Sequence, residues 1–438
     1  MPVNTKPFAT LSRTILAGAG VSITLRVTGV GFSYAANIFL SRLLGLHGFG
    51  EYVIALGWAL VLTLPARAGF ENSALRFVTV YLENGEFGRL RGFIRTGFAT
   101  VIAVSLAVSG AMAIGGLATH AIPIVAGATI VLPLALLGVA SPMMRAAQRI
   151  VSSQIYEQIV RPAILVITLS IAGLIGFRMS VSAALLLTAV AALAALIALL
   201  VPFGWAFAQT RSARADFGHL REWYALSLPM LIIASMQELM NQMEVILLGT
   251  MVGASASGLF AAAWRLASLT PFALAALTGI AAPHIASADH RGSYDDLAVL
   301  ARLIARVGLT VALVAGGLLA IWGRPLLALF GPEFSAAYPA LIALTVGGIA
   351  NAFTGAVAYL MTLTGRERPA LAIFAGALVV SIGLNLLLIP SLGALGAAIA
   401  SSSATVTWNL AMLIYVRRAL GIDASAVGLK RQADPRPT

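Results

Sequence analysis

The chain reads Leu44-Gly45-Leu46-His47-Gly48-Phe49-Gly50-Glu51-Tyr52 between an apolar run at 15–41 and a second that opens at 49. Past the middle of the chain it reads Val252-Gly253-Ala254-Ser255-Ala256-Ser257-Gly258-Leu259-Phe260, again between two long apolar runs. Both stretches place a glycine, a second glycine five positions on, and an aromatic residue two further. Glycine supplies tight turns at no steric cost, and each flanking run has roughly the 20 apolar residues that cross a bilayer. Each stretch therefore reads as a short turn between two membrane spans.

The rest of the chain follows the same pattern. Of its 438 residues, 60% are hydrophobic and 10% charged, whereas soluble domains carry about 25% charged residues. There are too few charges to cover water-facing surface, so the bilayer is the main solvent. Twelve segments qualify as spans: 15–41, 49–66, 94–117, 121–143, 153–176, 181–207, 226–249, 256–282, 303–322, 336–363, 369–389 and 393–416. The N-terminal 1–14 is short and polar, and no small-residue cleavage site follows a compact apolar core. The first span therefore reads as retained rather than as a cleaved signal.

Lysine and arginine set the orientation. With the N-terminus in the cytoplasm and spans alternating, 22 of the 28 Lys and Arg fall on the cytoplasmic side. The opposite side holds Arg42, Arg178 and Arg324, and Arg26, Arg161 and Arg265 lie within spans. This partition predicts both termini inside and makes most of the +12 net charge a topology signal rather than a nucleic-acid patch. The implied organisation is a cytoplasmic N-terminus 1–14, a six-helix bundle 15–207, a cytoplasmic linker 208–225, a second six-helix bundle 226–416 and a polar cytoplasmic tail 417–438. Six spans per half is an even number, so the two halves share one orientation, as parallel repeats do. The expected fold is an all-α integral membrane protein of about twelve transmembrane helices in two parallel-repeat six-helix bundles around a central cavity.

Ionisable residues inside spans are costly and mark cavities or partners. Glu157 and Arg161 stand four apart, so they can pair on one helix face and brace a kink at Pro162. Gln237, Asn241 and Glu244 form one stripe of the seventh span, with Glu238 and Gln242 on the neighbouring stripe. That polarity suits either a cavity wall or interhelical hydrogen bonding; Glu238 and Glu244 are the candidates for a coupling ion. Arg26 and Arg265 have no acid within one turn on their own helices. They either face a cavity, where the guanidinium fork suits phosphate, or pair with Glu238 or Glu244. Substrate-binding candidates are thus Arg26, Arg161, Gln237, Asn241, Glu244 and Arg265. Pro133, Pro162, Pro229, Pro271 and Pro283 read as tolerated kinks. The stretch 71–91 reads as an amphipathic segment on the cytoplasmic face, with 289–306 its counterpart in the second half.

Other chemistries are excluded or weak. There is no cysteine, hence no thiolate metal site, disulfide or Cys nucleophile. No Gly-Lys-Ser/Thr phosphate loop is present, and Gly29-Val30-Gly31 lies in an apolar span rather than after a strand. The five histidines, His47, His120, His219, His284 and His290, are scattered. No cofactor and no metal centre is expected. A membrane-embedded polysaccharide-processing enzyme remains an open alternative.

Taken in order, several motifs resemble the polysaccharide and O-antigen flippases of the multidrug/oligosaccharidyl-lipid/polysaccharide exporter superfamily. They are Leu40-Ser41-Arg42-Leu43-Leu44-Gly45 with Gly48-Phe49-Gly50-Glu51-Tyr52, and Leu247-Leu248-Gly249 with Gly258-Leu259-Phe260-Ala261-Ala262-Ala263-Trp264-Arg265-Leu266. Pro283 and Ile389-Pro390-Ser391-Leu392-Gly393-Ala394-Leu395-Gly396-Ala397-Ala398 follow. The resemblance covers nearly the whole chain. It implies a cationic cavity between two bundles and a polyprenyl-pyrophosphate-linked oligosaccharide as cargo. The cargo would move to the periplasmic leaflet of the bacterial inner membrane for lipopolysaccharide O-antigen or exopolysaccharide synthesis. Membrane lipids, a polysaccharide polymerase and export machinery are the implied partners, and nucleic acid is not. Within the resemblance, Arg265 matches a basic position after the small-residue run, Arg26 fits the lumen by location, and Glu244 matches an acidic position of the seventh span. A multidrug cation exporter of the same superfamily, driven by proton or sodium, is the rival. It would need a carboxylate in the first span, which here has Arg26 and no Asp or Glu. A lipid II flippase is a second rival, for which the chain is short.

Overall fold

The computed structural model describes residues 6–290 and 293–428, and every regular element among them is a helix. In order these are α1 (Lys6–Arg67), α2 (Phe70–Glu83), α3 (Phe87–Ala118), α4 (Ile122–Ala146) and α5 (Ile150–Gln154). A π-helical turn, Ile155–Val160, leads from α5 into α6 (Arg161–Leu174), followed by α7 (Val181–Ala206), α8 (Leu220–Met251), α9 (Ala254–Ala267) and α10 (Leu269–His290). The chain continues through α11 (Tyr294–Ala328), α12 (Tyr338–Thr354), α13 (Val357–Leu363), α14 (Glu367–Leu392) and α15 (Ala394–Leu420). Nine helical segments among the described residues are long and apolar enough to cross a membrane.

The opening motif turns out to be a corner. As one rod, the 62 residues of α1 would be about 93 Å long, about three times the hydrocarbon core of a bilayer. Gly45 interrupts it with φ 69° and ψ 177°, and Gly253 does the same between α8 and α9 with φ 120° and ψ 170°. Residues with a Cβ rarely adopt such backbone. Before the corner, Gly29 abuts Gln158 and Leu43 reaches Gly173 of α6. After it, Gly48 meets Val181 and the Tyr52 and Thr188 hydroxyls hydrogen-bond at 3.0 Å. The two arms thus follow α6 and α7, which are packed together and joined by six residues. The chain reverses at Gly45.

The molecule divides into two compact units, Met1–Ile246 and Leu247–Thr438. The division falls within α8 rather than in the 208–225 connection, because the first part of α8 packs on α2 and α3. In the first unit α4 is the central helix, packed on α1, α2, α3, α5 and α7. Apart from Thr129 and Ser141, whose hydroxyls bond backbone carbonyls, it is apolar on every face until Arg145, and its small residues let neighbours approach closely. The helix α7 instead has two faces. Ala184, Leu185, Thr188, Ala192, Ala195 and Leu199 are buried, while Leu186, Val190, Leu193, Ile197 and Val201 form an exposed apolar stripe for lipid. In the second unit α11 repeats this, with Val299, Leu303, Val307, Val311, Val314, Leu318 and Ile321 outward.

Two sequence expectations change. The amphipathic stretch 71–91 is α2 and the start of α3, but the apolar face of α2 is covered by protein. Phe70, Ser73, Ala74, Phe77, Val78 and Tyr81 are buried. Phe93 packs on Phe70 and Phe77 at 5.5 and 5.4 Å between ring centres and meets Trp223 of α8 at 5.6 Å. The Trp223 indole N–H donates to the Tyr81 hydroxyl at 2.9 Å, and the Ser227 hydroxyl bonds Ser73 at 2.7 Å. The tenth predicted span, 336–363, is not continuous, because it breaks between α12 and α13 at Gly355.

Trp223→Ala in purified protein should therefore lower unfolding stability by about 3–5 kcal/mol. Tyr81→Phe, which strands only the indole N–H, should cost about 1 kcal/mol. Thermal unfolding in detergent reads both, and equal effects would contradict the packing role of the indole.

Candidate functional site

The π turn begins the site. Pro162 has no N–H and cannot continue an α ladder back to Gln158. The chain answers by widening, and the Arg161 N–H donates to the Tyr156 carbonyl five residues back. Single π turns inside helices often occur at functional sites. Gly29 of α1 lies directly against this turn, since a Cβ there would fall 2.5 Å from the Gln158 carbonyl oxygen.

The widened turn changes the expected ion pair. Glu157 and Arg161 do not bind each other. The Glu157 carboxylate faces Arg145 at the end of α4, at 3.7 Å. Bonding from i to i+5 re-phases positions that an α-helix would stack one turn apart, which leaves Glu157 to the neighbouring helix. Arg161 is half-buried and makes no hydrogen bond or ion pair among the described residues. Its electrostatic neighbours are Glu157, Tyr52 and Arg67.

Arg67 is the second cation. Its Nη1 donates to the Glu71 carboxylate at 2.6 Å, and its Nε is buried without a hydrogen-bond partner among the described residues. The guanidinium lies in a notch of α4 at Gly138, where any Cβ would overlap its Cζ and Nε. Gln154 adds a buried Oε1 at the end of α5 that has no hydrogen-bond partner among the described residues. The cluster contains three guanidinium groups, Arg67, Arg145 and Arg161, against two carboxylates, Glu71 and Glu157, and each carboxylate already has an arginine. Among the described residues the cluster as a whole thus carries one surplus positive charge, with Glu157 acting electrostatically on Arg161 as well as on Arg145. In a low-dielectric setting such a charge is costly, and a diffusible anion would lower that cost.

Elsewhere the site residues separate. On α8 the Gln242 amide donates to Glu238 at 2.8 Å, as the neighbouring-stripe reading expects. Asn241 is exposed whereas Glu244 is buried at 3% exposure and has an interaction partner. Asn241 and Glu244 therefore do not share one environment. Arg265 is half-buried in the last turn of α9, also with an interaction partner, and its carbonyl accepts the Ser268 hydroxyl at 2.6 Å. The side chains of Arg26 and Gln237 lie outside the described residues. Sequence reasoning counted Arg67 and Arg145 as orientation charges only. Glu71, one turn after Arg67, was the available hint of a role within the bundle. The notch at Gly138 had no such signal, since nothing local distinguishes it from other glycines in α4. Among the described residues there is no group of three or more His, Asp or Glu that could hold a metal ion.

Glu71→Gln should cost about 1–3 kcal/mol by stranding the Arg67 charge, and Arg67→Gln on that background should recover part of the loss. A double-mutant cycle on unfolding free energy measures the coupling; additive effects would mean that the pair contributes nothing.

The profile of the family described as "Polysaccharide biosynthesis protein" matches residues 15–288. No curated protein matches the chain in sequence. Among solved structures the fold is similar to the inward-facing conformation of a multidrug resistance MATE family transporter of the MOP superfamily. That match has a TM-score of 0.71 at 14% identity and covers 92% of this chain and 98% of that one. It is also similar to the lipid II flippase MurJ in an inward closed conformation, with a TM-score of 0.70 at 12% identity over 90% of this chain and 87% of that one. A third similar structure is a MOP superfamily transporter from Pyrococcus furiosus, described as having a binding pocket of reversed polarity that suggests a different function. Its TM-score is 0.56 at 14% identity over 92% of this chain and 94% of that one.

Proposed function

This chain belongs to the polysaccharide biosynthesis protein family, and from that premise we propose that it flips a polyprenyl-pyrophosphate-linked oligosaccharide from the cytoplasmic to the periplasmic leaflet of a bacterial inner membrane. Family and fold together make it a multi-pass membrane transporter rather than an enzyme. The observation that carries the choice of cargo is the surplus of guanidinium over carboxylate in the cluster of Arg67, Arg145 and Arg161. A cluster with more arginine than carboxylate favours an anion over an organic cation. Pyrophosphate is a dense anion whose oxygens match the planar fork.

In this reading twelve spans form two parallel-repeat six-helix bundles, and the headgroup crosses within the protein while the polyprenyl tail stays in lipid. Arg161 contacts the pyrophosphate, aided by Arg26 and Arg265, and Gln237 and Asn241 contact sugar. Arg67 and Arg145 engage Glu71 and Glu157, so that the cluster keeps a surplus of positive charge. Glu238 and Glu244 are the candidates for an ion that couples the cycle to a gradient. The product would pass to a polymerase and export machinery building surface polysaccharide, as O-antigen or exopolysaccharide.

Charge-assisted hydrogen bonds contribute about 1.5–3 kcal/mol each, so Arg161→Ala should lower flipping tenfold or more at unchanged protein abundance. Arg161→Lys, which keeps charge but loses the fork, should fall between. Tracing lipid-linked glycan in the two leaflets of cells carrying each variant reads this directly, with build-up on the inner leaflet expected. Normal glycan distribution combined with raised sensitivity to cationic drugs would replace this reading with the multidrug exporter. In vesicles, Glu244→Gln should abolish the response of transport to an imposed proton or sodium gradient. A retained response would remove Glu244 as the coupling group.

A further inference from the structure

The polar tail is not free along its length. After α15 the chain turns at Gly421, φ 65° and ψ 19°, whose N–H donates to the Arg417 carbonyl at 3.1 Å. The next residues pack back onto the second unit. Ile422, Ala424 and Ser425 are 3% exposed or less, and Ile422 and Ala424 join the apolar cluster that includes Ile285, Ala301, Ile304, Leu360 and Met361. Asp423 shapes the turn, accepting the Ser425 N–H and hydroxyl at 3.1 and 2.8 Å, with Arg417 3.9 Å from its other oxygen.

This segment lands where the tenth predicted span is broken. Helix α12 ends at Thr354, and the last carbonyls of a helix have no partner within it. The Ala426 N–H donates to one of them, the Phe353 carbonyl, at 3.0 Å. The Ala426 carbonyl in turn accepts the Arg306 Nε–H of α11 at 2.9 Å. Between them lies Gly355, φ 71° and ψ −145°. A Cβ on it would come 2.7 Å from Ala305 and 3.1 Å from the Ala424 carbonyl oxygen. The Thr354 hydroxyl, bonded to Asn409 of α15 at 2.7 Å, holds the near side of the break. The tail therefore spans α11, the end of α12 and the break before α13.

We propose that residues 421–428 are a latch that holds the Gly355 break of the second bundle in its bent form, with Arg306 as the catch. Docked, the latch supplies the missing donor to Phe353 and fixes α13 relative to α11 and α12. Released, it leaves Gly355 as a hinge with an open carbonyl above it, and α13 can move during the transport cycle. This holds whatever the cargo is, so it stands apart from the flippase reading.

The chain has no cysteine, so a single Ser425→Cys reports docking in the full-length protein in lipid nanodiscs, with a water-soluble maleimide as probe. Val427→Cys, at a position 67% exposed, is the open control. Ser425→Cys should react at least tenfold more slowly than Val427→Cys. Adding Arg306→Ala or Ala426→Pro, which remove the two hydrogen bonds, should bring the two rates together, and Arg306→Lys should restore protection. The same releasing substitutions in the cysteine-free chain should change the transport rate severalfold while the unfolding temperature stays within a few degrees. Equal labelling of the two cysteines in the otherwise unaltered chain would overturn the docking. Full release with transport unaltered would overturn the latch.

Discussion

In a bilayer there is no water to satisfy a broken backbone, and this constraint shapes each irregular feature of the molecule. Helices meet it by themselves, which is why the described residues contain no other regular element. Where the helix fails, a specific repair is present. Pro162 removes a donor, and the chain shifts to a π turn in which Arg161 reaches back five residues. Gly355 stops α12, and the tail returns to bond the Phe353 carbonyl. Both irregularities coincide with arginine, Arg161 at the first and Arg306 at the second.

Charge in this setting is governed by pairing. Arg67 takes Glu71 and Arg145 takes Glu157, so the arginine beside the π turn has Glu157 only as an electrostatic neighbour that it shares with Arg145. That local surplus of arginine is distinct from the net charge of +12 spread over the whole chain. Glycine provides the room: Gly138 accepts the Arg67 guanidinium in an otherwise apolar helix, and Gly29 lets α1 press against the Gln158 carbonyl.

The amphipathic stretch α2 shows how periodicity can be right while its meaning changes. Phe70, Phe77 and Tyr81 share one face, as the sequence suggests, but that face meets Phe93 and Trp223 rather than a membrane surface. Trp223 lies far along the chain, and no local pattern links it to Tyr81. Similarly, the reversal at Gly45 was readable from a glycine between two apolar runs. Which helices each arm would follow was not.

The sequence by itself determined the solvent, the helical class, the corners at Gly45 and Gly253 and the short list of ionisable residues within spans. These follow from composition and local spacing, to which hydropathy and glycine geometry respond directly. The tertiary structure decided that Glu157 pairs with Arg145, that Arg67 enters the bundle at Gly138, and that part of the polar tail packs over Gly355. Each of these depends on groups distant in sequence that meet only once helices pack. Electrostatic and hydrogen-bond partners are chosen by proximity in space, and spacing along the chain does not record it.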